Sequence, residues 1–92
     1  MIRSFRHKRI EKFFLPGSTA GIQPTHANKL ARQLQHLNQA ATTQDMNIPG
    51  WQWHPLNGAL RDHYAVAVNG NYRLTFTFVG QDAILVDDQD HQ

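Results

Sequence analysis

The hydrophobic period changes once along this chain, and that change limits what it can fold into. Through residue 41 apolar side chains recur at helical spacing, and from residue 51 they alternate with a period of two. Ile10, Phe13 and Phe14 fall at i, i+3 and i+4, with Arg6, Lys8, Arg9, Glu11 and Lys12 around them. This pattern predicts an amphipathic helix that stops at Leu15, because the residue before Pro16 is pushed out of helical angles and Gly17 follows. Residues 16–23 read as a loop. A second helix begins near Pro24 or Thr25 and carries Ala27, Leu30, Ala31, Leu34, Leu37 and Ala41 on one stripe. The polar stretch 42–50 leaves room for a single turn around Asp45 and Met46.

Residues 51–56, 64–69, 71–79 and 82–86 read as four strands, with Asn69-Gly70 as a hairpin signal. Tyr72, Leu74, Phe76 and Phe78 alternate with Arg73, Thr75 and Thr77, so Arg73 points away from the core. A two-residue loop at Asn69-Gly70 would pair Val66 with Arg73. An odd loop with a bulge instead puts Tyr64, Val66 and Val68 on the face of Leu74 and Phe76, and is the form we expect. With residues 2–5 as a short first strand, the prediction is one α+β domain spanning 1–92. Two helices pack on one face of a mainly antiparallel sheet.

Charge is unevenly placed: residues 1–32 hold seven Lys or Arg against one acid, and residues 81–92 hold four Asp and no Lys or Arg. That polarity suggests opposite partners for the two ends, with a phosphate-bearing partner for the basic one. The chain has no cysteine, which excludes a disulfide framework, thiol catalysis and a Cys-based metal site. Its longest apolar runs are far too short to span a bilayer and no secretory h-region follows the N-terminus, which predicts a soluble, cytoplasmic protein.

Six histidines show no HxxxH or HExxH spacing, so no metal is expected. Phosphate-binding glycine loops and a nucleophile elbow are absent as well. What remains is His54, Arg73 and the acidic end with Asp87, Asp88, Asp90 and His91. Metal-free RNA cleavage needs a base for the 2'-OH, a cation at phosphorus and an acid for the leaving 5'-oxygen, and His, Arg and Asp can fill these roles. On residue types alone, a histidine before a proline is more often a solvated strand-end residue, and an acidic terminal run is more often solubilising.

The opening Met1-Ile2-Arg3-Ser4-Phe5, the segment Gly17-Ser18-Thr19-Ala20-Gly21-Ile22, Trp53-His54-Pro55-Leu56 and the run from Val68 to Phe76 with Asn69-Gly70-Asn71-Tyr72-Arg73 together resemble the HigB toxins of the RelE/ParE superfamily. The resemblance implies a RelE-like fold, helices on a curved antiparallel sheet. It further implies a ribosome-dependent messenger RNA endonuclease that cuts in the A site by 2'-OH attack without cofactor. The implied partner is a HigA-type helix-turn-helix antitoxin, and the free toxin would be monomeric. His54 matches the family histidine for acid or base work, and Arg73 matches the arginine that would stabilise the scissile phosphate. Arg3, Arg6, Lys8, Arg9, Lys12, Lys29 and Arg32 would contact ribosomal RNA.

Two departures stand out. Family members commonly end in Asp-Tyr-His, whereas this chain ends Asp90-His91-Gln92 and lacks the tyrosine whichever way the tail is aligned. Where a lysine followed by Gly-Asp-Arg is common after the HPL motif, this chain has Asn57-Gly58-Ala59-Leu60-Arg61, so Arg61 is the candidate replacement cation. The expectation is a weaker or differently tuned nuclease. The competing reading is an inactive homologue that binds antitoxin and helps regulate its operon, with a gyrase poison a distant third.

Overall fold

In the computed structural model, which describes residues 1–15, 22 and 24–90, two helices precede a four-stranded sheet. The first, α1, spans Lys8–Phe14 and buries Ile10 and Phe13; its last backbone bond runs from the Leu15 N–H to the Glu11 carbonyl at 2.9 Å. The second, α2, spans Pro24–Gln39, with the proline at a first-turn position where its missing N–H costs nothing. It buries Leu30, Leu34 and Leu37 as the period predicts. The stripe ends differently: the helix stops at Gln39, Ala40 is buried, and Ala31 and Ala41 are exposed. Gln33 is buried in addition, its Nε2 donating to the Ala67 carbonyl at 2.8 Å, which pins the helix to the sheet. The loop expected over 16–23 lies outside the described residues, Ile22 excepted.

A 3-10 turn at Thr43–Met46 realises the single turn expected there. Asp45 closes it by accepting from the Ala41 and Thr42 N–H groups at 2.8 and 3.1 Å, and these bonds hold its carboxyl below the usual range. The strands β1 (His54–Pro55), β2 (Tyr64–Asn69), β3 (Tyr72–Val79) and β4 (Asp82–Asp90) follow in spatial order, all pairs antiparallel. β1 is shorter than the expected 51–56, since Gly50 and Gln52 take left-handed angles (φ +88° and +54°) that break the extended run. The hairpin has the expected parity: Val66 pairs with Leu74 and Tyr64 with Phe76, because the register shifts by one between Ala67 and Asn69. These residues, with Ile10, Leu30, Leu37 and Val86, form the core between helices and sheet.

Residues 2–5 make two parallel bridges to β4, Ile2 to Ala83 and Phe5 to Val86, rather than a full strand. A bulge at Leu85 (φ +54°) interrupts regular pairing there, and the Ser4 hydroxyl accepts the Leu85 N–H at 2.9 Å. β4 runs four residues past its expected end at Val86. Aspartates disfavour strands, and here the basic N-terminal segment compensates them. Arg3 donates to Asp82 at 2.8 Å, and the terminal amine lies 3.5 Å from the same carboxylate. His7 Nε2 lies 2.6 Å from Asp87, with Arg6 at 3.9 Å. Arg9 grips Asp88 through both terminal nitrogens at 2.8 Å, and the Tyr72 hydroxyl donates to the same carboxylate. The two ends therefore partner each other, which corrects the expectation of opposite partners.

Asp88 is almost wholly buried, so its charge depends on Arg9 and Tyr72. The Asp88 hydrogen bond raises the Arg9 pKa, and burial, then Asp88, push the Tyr72 hydroxyl up. Arg9→Met should cost about 2–3 kcal/mol, below the range for a fully buried pair because Arg9 is partly solvated. Urea unfolding measures this, and a loss under about 0.5 kcal/mol would show that Asp88 needs no partner. Asp45 and Asp82 both titrate below the usual carboxylate value, Asp82 chiefly through Arg3. Their stabilisation is fully present above about pH 4 and is lost as pH falls through the depressed values. Asp45→Asn and Asp82→Asn should each flatten the acid limb of a stability-versus-pH curve.

Candidate active site

The sheet pairs place polar side chains on the face turned away from the core stripes. Partners directly opposite in antiparallel strands share a face, so one row reads His54, Ala65, Thr75, Asp87 and the next reads Ala67, Arg73, Gln89. Two small alanines lie between His54 and Arg73. With strand spacing near 4.8 Å and about 3.4 Å per residue, the His54 and Arg73 Cα atoms stand roughly 12 Å apart. That gap is one a long arginine can reach across. Trp53 supports β1 from the core side, stacked on Tyr64 with centroids 5.4 Å apart and planes within 5°.

His54 is exposed, and its ring orientation is set by the backbone: Nδ1 lies 2.8 Å from the Gln52 carbonyl. A carbonyl can only accept, so Nδ1 carries the hydrogen, and in the neutral ring the lone pair is then on Nε2. The left-handed Gln52 aims that carbonyl. Arg73 is half-buried, and its Nη2 donates to Gln89 Oε1 at 3.2 Å. An imidazole and a guanidinium on one face can take a proton and neutralise an anion.

The other expected site residues are less gathered. Asp90 is exposed and pairs with Tyr72, which puts it on the helix-side parity, opposite to Arg73. His91 lies outside the described residues. Asp87 belongs to the His54 row, but its carboxylate is engaged by His7 and Arg6. Among the expected RNA-binding cations, Arg3, Arg6 and Arg9 are committed to Asp82, Asp87 and Asp88. Contact of these three with ribosomal RNA would therefore compete with, or add to, ion pairs they already make within the fold. Lys8, Lys12, Arg32 and Arg61 are exposed and Lys29 is half-buried. His7, Asp87 and Asp88 offer three atoms within 4.8 Å of one another, a spacing a metal ion could use. Arg9 and Arg6 already compensate the charge of those carboxylates.

Sequence reasoning missed four residues of this face. Gln52 and Gln89 orient His54 and Arg73, and Gln89 became visible only once β4 extended beyond Val86. His63 and Thr75 are the others: His63 Nε2 and Thr75 Oγ1 are buried with no hydrogen-bond partner among the described residues. The alternation of Thr75 with Leu74 and Phe76 was the available signal for its face.

The family model described as the RelE-like toxin of the type II toxin–antitoxin system HigB matches residues 3–91. The endoribonuclease HigB of Proteus vulgaris is 30% identical over 91 residues, covering 99% of each chain. Toxin HigB-1 of Vibrio cholerae serotype O1 is 32% identical over 81 residues, covering 86% of this chain and 85% of the relative. Nitrogen-15 chemical shifts of the imidazoles at neutral pH should show His54 as the Nδ1–H tautomer, and a dominant Nε2–H form would overturn that ring orientation.

Proposed function

This chain belongs to the HigB family of RelE-like toxins of type II toxin–antitoxin systems, and we propose that it is an endoribonuclease that cuts messenger RNA on the ribosome. The observation that carries the reading is that His54 and Arg73 share one sheet face, with His54 exposed and its Nδ1 held by the Gln52 carbonyl. Nε2 removes the 2'-hydroxyl proton. The 2'-oxygen attacks phosphorus while Arg73 neutralises the phosphorane charge, and the bond to the 5'-oxygen breaks. The products are a 2',3'-cyclic phosphate and a 5'-hydroxyl. The acid that protonates the leaving oxygen is assigned to His91 on the family resemblance alone, since Asp90 has the other parity.

Arg61 caps the 3-10 turn at Gly58–Leu60 and is exposed. It serves as the phosphate contact in place of the lysine replaced by Asn57. Lys8, Lys12, Lys29 and Arg32 supply the salt-sensitive ribosomal RNA contacts. Family membership implies an antitoxin partner, which we take to be of the HigA helix-turn-helix type. The free toxin acts as a cytoplasmic monomer, of reduced or altered activity because of Asn57 and the missing tail tyrosine. An inactive antitoxin-binding module is less well supported, because His54 and Arg73 are both retained and share a face.

The test is 5'-end mapping on a defined mRNA in a purified translation system, with a ribosome-free control. Wild-type protein should cut only with ribosomes. His54→Ala should lower the rate by about 10²–10⁴-fold, and Arg73→Ala by about 10²–10³-fold. Intact mRNA at high protein concentration, or cutting that survives both substitutions, would defeat the proposal.

A further inference from the structure

The second sheet face carries two polar groups that neither the fold nor the mechanism uses. The Leu56 N–H donates to the His63 carbonyl at 2.9 Å, which continues the β1–β2 register and makes His63 the diagonal neighbour of His54 on the same face. Thr75 pairs with Ala65 in the His54 row, so it is diagonal to His63 as well. Thr75 is 1% exposed, and its Oγ1 has no hydrogen-bond partner among the described residues. His63 Nε2 is likewise buried and unpartnered. The nearest group to its Nδ1 in hydrogen-bond terms is the Arg61 carbonyl at 3.5 Å, at the outer limit for a bond. In the neutral ring with its hydrogen on Nδ1, toward that carbonyl, Nε2 is an acceptor.

The segment bearing His63 is held firmly. Asp62 adopts a left-handed conformation (φ +73°), and its carbonyl accepts from the Thr77 hydroxyl at 2.8 Å. A left-handed residue fixed by a tertiary bond thus sits beside two buried polar atoms that have no partner among the described residues, and such atoms call for an explanation.

We propose that His63 and Thr75 are substrate-positioning residues, which RNA reaches by displacing the groups that cover them and which then together accept a hydrogen-bond donor of the bound RNA. This rests on the endoribonuclease reading. The donor is an O–H or N–H of a nucleotide beside the one whose 2'-hydroxyl faces His54. A ribose 2'-hydroxyl and a base amino group offer the same chemistry, and filling the site supplies the partner that both buried atoms lack. Contact with the ribose would let this face separate RNA from DNA.

The experiment has two arms. In the first, equilibrium unfolding and binding of a short single-stranded RNA, its all-deoxy counterpart and base-substituted versions are compared for wild type, Thr75→Val, Thr75→Ser, His63→Ala and His63→Gln. Thr75→Val should leave the unfolding midpoint unchanged or raise it, because an unpartnered hydroxyl is removed at constant shape. It should weaken RNA binding about five- to tenfold. His63→Ala should weaken binding about tenfold, with Thr75→Ser and His63→Gln restoring most of the loss. A loss confined to RNA identifies the ribose hydroxyl, and a loss that follows amino-bearing bases on either backbone identifies the base.

The second arm follows mRNA cutting in the translation system, where both variants should raise KM and redistribute the cut positions with little change in kcat. If Thr75→Val destabilises the fold while binding is unaltered, the hydroxyl is structural and the proposal fails. Unaltered binding in His63→Ala overturns it for that residue. A wild type that binds RNA but does not cut would refute the nuclease reading while the binding arm still decides this one.

Discussion

The clamp between the two ends of the chain is the interaction on which the rest depends. Arg9 and Tyr72 hold the buried Asp88 carboxylate, Arg6 and His7 hold Asp87, and Arg3 holds Asp82. Without those cations, a strand carrying Asp87, Asp88 and Asp90 has neither the propensity nor the solvation to run beside β3. With them, β4 extends to Asp90 and brings Gln89 alongside Arg73. The geometry of the guanidinium proposed to meet phosphate is thus tied to the ion pairs between β4 and the N-terminal segment.

Most of the architecture was legible because it follows from period. The helical stripes of α1 and α2, the alternation through β2 and β3, and the odd offset at Asn69-Gly70 all report burial directly. Legibility ended where tertiary charge decided the outcome. The strand continuing from Val86 into Asp87 and Asp88 reads locally as a polar tail, and only the basic partners 79 positions earlier make it a strand. Gln33 escaped for a related reason: a glutamine on an apolar stripe looks misplaced until a carbonyl on β2 is known to receive it.

The site was partly readable. His54 and Arg73 were identified by residue type and family resemblance, and alternation gave the face of Arg73. The orienting Gln52 carbonyl could not be seen, because a left-handed angle at a glutamine leaves no mark in composition. Asp90 was grouped with the site through the acidic end and the family's tail motif, while the register of β4 gives it the other parity. His63 and Thr75 were invisible for a third reason. Nothing about a single histidine or threonine in a strand announces that its polar atom lacks a partner.

The parallel bridges from Ile2 and Phe5 to the last strand also bear on when the molecule can exist. Residues 2–9 must wait for β4 to be made before β4 gains its outer neighbour and Asp88 its guanidinium. Such long-range closure is slow, because loop entropy is spent before any contact returns it. During synthesis the emerging chain therefore holds its helices and central hairpin without the edge that completes them. A protein whose proposed target is the translating ribosome cannot complete this sheet until its own β4 has been translated.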